Sequence, residues 1–139
     1  MPHDEPSPIT PEAQSLMRAA QRDWKTVELL AQHSDAPPTS LCFHAQQYVE
    51  KVIKAVLVSN DVIFRRTHDL EELAALLATQ DIAPPLPMDQ LRQLNPFAVL
   101  LRYEEIEIVP IEVYAVVEMM HTVRVWGQEH GMISPTVED

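Results

Sequence analysis

The chain alternates stretches of helical periodicity with proline-bearing breaks. Ala13, Leu16, Met17, Ala20, Trp24, Val27 and Ala31 recur every three or four residues, which predicts a first helix reaching about Gln32. Thr10-Pro11-Glu12 marks its start: a hydroxyl cap, a proline in the first turn, then an acid near the positive helix end. His33 to Pro38 reads as a loop, and Pro37-Pro38 stops any continuation. A second helix follows from near Thr39 to Ser59-Asn60. Asp61 to Arg66 is a connector, and Thr67-His68-Asp69-Leu70 reads as a cap with an acidic first turn opening a third helix to about Gln80. Three prolines between Asp81 and Pro87 mark a loop, and a fourth helix begins at Met88. Pro96 should interrupt it, because proline removes a donor and clashes one turn back, with helical geometry resuming from Phe97 to Tyr103. Glu104 to Val109 reads as a loop. Pro110 fits the first turn of a fifth helix, and the tail from Gly127 is expected to fray.

The second helix has two chemically different faces. At about 100° per residue, Leu41, Cys42, Ala45, Tyr48, Val49, Val52, Ile53, Ala55 and Val56 share a broad apolar arc. His44, Gln47, Glu50, Lys51 and Lys54 fall opposite, and His44, Gln47, Lys51 and Lys54 form a continuous row of helical neighbours. The fifth helix differs. Ile111, Val113, Tyr114, Val116, Val117, Met119, Met120, Val123 and Trp126 spread around most of its circumference, so it is either central in a bundle or meets a partner chain as well.

Composition narrows the fold. With 139 residues the chain suits one domain and one core, and 46% hydrophobic residues let it fold. Two glycines among many Ala, Leu, Glu and Gln favour helices over a turn-rich β fold. The expected architecture is all-α, an up-and-down bundle of about five helices over residues 10–130, with flexible tails at 1–9 and 131–139. The single cysteine, Cys42, rules out an intramolecular disulfide and reads as a small core residue. No signal peptide is visible and no apolar run approaches the roughly 20 residues needed to cross a bilayer. A cytoplasmic protein without membrane association is expected.

Charge changes the picture more. A net charge of −11 argues against non-specific nucleic-acid binding by the whole surface, yet the segment from His44 to His68 carries more basic than acidic residues. His44 reads either as a proton donor or phosphate ligand, or as a packed histidine held by the first or third helix. Lys51 and Lys54 read either as phosphate contacts or as a solvated row, with Glu50 and Lys54 an i, i+4 pair. Gln47 reads as an inter-helix bond or a contact to a base edge. His68 reads as a cap, or with Arg65 and Arg66 as the border of an anion site at a helix start, which Arg102-Tyr103 would also reach. None of the six histidines forms a His-x-x-x-His or Glu-x-x-His pair, and no glycine-rich phosphate loop exists. No metal and no cofactor is expected.

Phe43-His44-Ala45-Gln46-Gln47, then Glu50-Lys51, Lys54-Ala55, Thr67-His68-Asp69-Leu70 and, more weakly, Arg102-Tyr103 resemble the HEPN family, the higher eukaryotes and prokaryotes nucleotide-binding domain. The resemblance runs from about Glu12 to Glu129. It implies a helical bundle, usually dimeric, that associates with small nucleotidyltransferase partners in toxin–antitoxin-like pairs. Some members are metal-independent ribonucleases and others are catalytically silent binding modules. The ribonucleases use an Arg and a His separated by four to six residues, one for phosphate charge and one for proton transfer. Arg124 and His130 have that spacing here, although Val125 follows Arg124 where the family often has a polar residue. The expected function is a nucleotide- or RNA-related binding module, homodimeric through the second and fifth helices and acting with a nucleotidyltransferase. The alternatives are a metal-independent endoribonuclease and a structural adaptor without ligand.

Overall fold

The computed structural model describes residues 9–102 and 111–134. Among them are five α-helices and one 3₁₀ helix: α1 (Pro11–Ala31), α2 (Pro38–Ser59), α3 (Leu70–Ala78), α4 (Met88–Leu94), the 3₁₀ helix (Asn95–Arg102) and α5 (Val113–Glu129). The all-helical bundle expected from periodicity is the fold, and no helix among the described residues is long and apolar enough to cross a membrane. Tyr103, the Glu104–Val109 stretch and Pro110 lie outside the described residues.

Two helix starts, those of α1 and α3, carry side-chain caps. The Thr10 side chain accepts from the Ala13 amide (3.2 Å), with Pro11 in the first helical position. At α3 the expected cap shifts. Asp69, not Thr67 or His68, accepts from the Glu71 and Glu72 amides, while Thr67 Oγ1 accepts from the Asp69 amide. A carboxylate two residues nearer the first turn outcompetes a hydroxyl for those donors. Pro96 does interrupt α4, but the chain continues as a 3₁₀ helix. The fifth helix starts at Val113, later than Pro110 suggests.

Its end also differs from expectation. The helix does not fray at Gly127. Gly131 takes a φ of 78°, its amide donates to Gln128 O (3.1 Å), and the Met132 amide donates to Gly127 O (2.8 Å). These two bonds satisfy carbonyls that a frayed end would leave to water. Met132 is buried, and Ile133 packs against Gly127.

The central helix is α2. It packs against α1, α3, α4, α5 and the 3₁₀ helix, and from Thr39 to Ser59 none of its residues is fully exposed. Tyr48, Val49, Val52, Ile53, Val56 and Leu57 form the middle of the core, with Leu70, Leu73 and Leu77 from α3 and Val116, Met120 and Val123 from α5. Cys42 is buried and its thiol donates to Ile111 O (3.8 Å); burial pushes that thiol up from its ordinary value. The polar side of α2 stays half-buried at Phe43, His44, Gln47 and Lys51. The fifth helix keeps Tyr114 (71% exposed) and Val125 (52% exposed) on the surface.

Candidate functional site

The polar side of α2 is not one row. At 100° per residue Glu50 lies about 100° from Lys51, so the polar residues divide into two groups aimed at different neighbours. His44 and Lys51 turn to α1. There Asp23, a buried acid, receives His44 Nδ1 at 3.0 Å and Lys51 Nζ at 2.6 Å. Gln46, Glu50 and Lys54 turn to the α2–α3 connector. Glu50 is buried and receives Lys54 Nζ (2.8 Å), Gln46 Nε2 (3.2 Å) and His68 Nδ1 (3.0 Å). Gln46 Nε2 also donates to His68 O (3.2 Å), and Gln47 Nε2 donates to Gln46 Oε1 (2.7 Å). Among the described residues no buried side-chain nitrogen or oxygen lacks a partner.

These contacts give each imidazole a defined form. A carboxylate accepts only, so Nδ1 carries the proton in both His44 and His68, and a neutral ring keeps Nε2 as the acceptor. The expected i, i+4 pair of Glu50 and Lys54 is present, but its side chains are 5% and 13% exposed, so the lysine does not stand in solvent. It also lies 5.8 Å from the Phe64 ring centre. The seam thus fastens α1 and the connector to the central helix.

The anion site considered at the start of α3 does not form. The Asp69 amide donates to Thr67 Oγ1 (3.1 Å), the Leu70 amide to Asn95 Oδ1 (2.8 Å), and the Glu71 and Glu72 amides to the Asp69 carboxylate. All four orphan donors of that helix start are engaged, and two acids occupy its first turn. Arg65 is tied to Glu72 (2.8 and 2.7 Å), which holds that carboxyl below the usual range. Arg66 is exposed on the connector. The backbone of Arg102 closes the 3₁₀ helix, well apart in sequence from the seam.

Arg124 and His130 meet different aromatic rings. The Arg124 guanidinium stands 4.9 Å from the Trp24 ring centre on α1, whereas His130 packs on Trp126 at 4.7 Å. Six positions along a helix separate side chains by about 120°, which is why one chain turns the two apart. Trp126 is itself fixed, its indole N–H donating to Ala83 O at 2.9 Å. Around Trp24 gather Tyr48 (5.2 Å) and the edge-on His121 ring (5.0 Å). Burial raises the Tyr48 phenol above its ordinary value, and the Arg124 charge opposes the rise. Beside this cluster a cleft of about 240 Å³ opens between α1 and α5, lined by Trp24, Val27, Ala31, Val117, Met120 and His121.

Asp23 and His121 were not legible as site residues. Asp23 shares the apolar arc of α1 with Ala20 and Val27, and an acid in that position was the available signal of a buried partner.

Fold and seam together define an all-α bundle domain whose central helix is held by buried ion pairs on both flanks. A family model described as HEPN domain matches residues 13–130, and the chain belongs to the HEPN family. No curated protein and no solved structure matches it significantly.

Proposed function

We propose that this HEPN protein is a nucleotide- or RNA-related binding module without nuclease chemistry of its own. In this reading it acts as a dimer with a small nucleotidyltransferase partner in a toxin–antitoxin-like pair. Family membership supports the ligand class. One observation carries the non-catalytic part: Arg124 and His130 are engaged by different aromatic rings, and His44 and His68 are each held by a carboxylate that a lysine already neutralises. A general acid or base must reach the proton it moves in a productive pose. Here the paired imidazoles serve the joints between helices.

A second reading, a metal-independent endoribonuclease, has the Arg124–His130 spacing in its favour. In it Arg124 would stabilise phosphate charge and His130 would transfer the proton.

The two separate in one assay. The purified chain is incubated with a labelled RNA oligomer in EDTA, alone and with Arg124→Ala or His130→Ala. Binding with an intact oligomer is the expected result. Cleavage that either substitution abolishes would overturn the proposal in favour of the ribonuclease. Partner association is read by co-purification with a nucleotidyltransferase encoded beside this chain.

A further inference from the structure

Ion pairing divides the basic residues of this chain sharply. Lys51 and Lys54 are held by buried acids, and Arg65 and Arg92 by Glu72 and Glu71 on the surface. Among the described residues, Arg18, Arg22, Lys25 and Arg66 are exposed and make no ion pair with another described residue. Three of these four lie on α1 at positions i, i+4 and i+7, so they stand on one face. That face is the one opposite Ala20, Asp23 and Val27, which are buried. Between Glu12 and Glu28 the only acid is Asp23, and it points inward to His44 and Lys51, while exposed Glu28, three positions after Lys25, bounds the stripe. A chain of net charge −11 therefore keeps one helix face from Arg18 to Lys25 free of acids over roughly 10 Å of helix axis.

We infer that the outer face of α1 binds the phosphate backbone of a single-stranded RNA through Arg18, Arg22 and Lys25. This deepens the proposed function and rests on its RNA reading. Charge complementarity selects the occupant. Two guanidinium forks and an ammonium suit phosphate oxygens, and exposed Ser15 and Gln21 add neutral donors beside them. No exposed aromatic lies among them on that face, so the contacts position a strand without reading its bases. Repulsion from the acidic remainder of the surface confines the strand to this stripe.

The test uses the full chain and a fluorescein-labelled twelve-nucleotide oligouridylate, with binding followed by anisotropy from 25 to 400 mM KCl. Each phosphate neutralised on a single strand contributes about −0.7 to the slope of log K against log salt, so three contacts give a slope of roughly −2. Between 50 and 200 mM salt the affinity then falls roughly 20-fold. Replacing Arg18, Arg22 and Lys25 together by Gln should weaken binding at least tenfold at 50 mM salt and remove about 2 units of slope. Each single change should remove about 0.7 units, which keeps the test open if the triple variant fails to fold. Arg92→Gln, at an arginine already paired, should bind like the unaltered chain. If the triple variant folds and binds with unchanged affinity and slope, the stripe is refuted while the binding reading stands. Loss of partner co-purification with RNA binding intact assigns the face to an acidic protein and overturns the inference. If the unaltered chain does not bind the oligonucleotide at 25 mM salt, the inference and the RNA reading fall together.

Discussion

Asp23 occupies an arc of α1 that otherwise carries Ala20, Trp24 and Val27, and it is tolerated there because Lys51 and His44 reach it from α2. A buried carboxylate so paired contributes little against a well-packed apolar substitute, yet removing it leaves its two half-buried partners unpaired. Asp23→Ala should therefore lower the unfolding free energy by about 1–2 kcal/mol, read from urea denaturation, since the partners left behind are partly hydrated. Glu72→Ala, which removes a half-buried partner of the exposed Arg65, should change the urea midpoint far less. A midpoint for Asp23→Ala matching the parent would mean that the seam carries no structural load. Asp23 is hard to find in the sequence because Lys51 lies 28 positions away. Periodicity relates neighbours one or two turns apart and says nothing of which helix lies opposite. The Glu50–Lys54 pair was legible for the converse reason: both residues sit on one helix, four apart.

At the scale of elements, three helix ends close on a residue in the left-handed region: Asp61 after α2, Asp81 after α3 and Gly131 after α5. Each closure has the same bonds. The Val62 amide donates to Leu57 O, the Ile82 amide to Leu77 O and the Met132 amide to Gly127 O. Only the last uses glycine, which adopts that conformation without the Cβ penalty. Two opposite changes follow from one physical cause. Gly131→Ala, whose added Cβ would meet no atom within 4 Å, should destabilise by about 1 kcal/mol through backbone strain alone. Asp81→Gly should stabilise by up to about 0.5 kcal/mol, since relief of strain is partly offset by extra unfolded-state entropy. Thermal unfolding of both variants checks the pair, and shifts of the same sign would refute the argument. Gly127 answers a different need. A Cβ there would lie 2.8 Å from Ile133 Cδ1 and 3.3 Å from Val52 Cγ1, so α5 approaches α2 where only glycine fits without displacement.

For the whole molecule, α5 offers more exposed apolar surface to a second copy than the half-buried side of α2. The half-apolar outer face of that helix carries Tyr114 and Val125, with Val117 half buried between them. If the chain dimerises as proposed, light scattering at micromolar concentration should give twice the 15.8 kDa chain mass. Joint replacement of Tyr114 and Val125 by Glu should return the monomer without changing the helical circular dichroism. A monomeric parent chain would remove dimerisation from the proposed function. The packing around α2 explains why its family-like run is so polar for a central helix. It joins α1 and the connector to the core by hydrogen bonds where side-chain volume alone would allow sliding.

By itself the sequence determined what depends on neighbours along the chain: the helical class, the approximate bounds of α1 and α2, the break at Pro96 and the cap at Thr10. Each follows from a 3.6-residue repeat or from a backbone donor within a few positions. The run from Phe43 to Ala55 followed by Thr67-His68-Asp69-Leu70 also identified the family, which the match over residues 13–130 shows. Only the tertiary structure decided what that run does. It turned one apparent row into two, sent His44 and Lys51 to Asp23 and His68 to Glu50, and set Arg124 against Trp24 and His130 against Trp126. Charge and periodicity give the face of a helix on which a side chain lies. Whether that face meets water or a buried carboxylate depends on the helix packed against it, and that is settled by the fold as a whole.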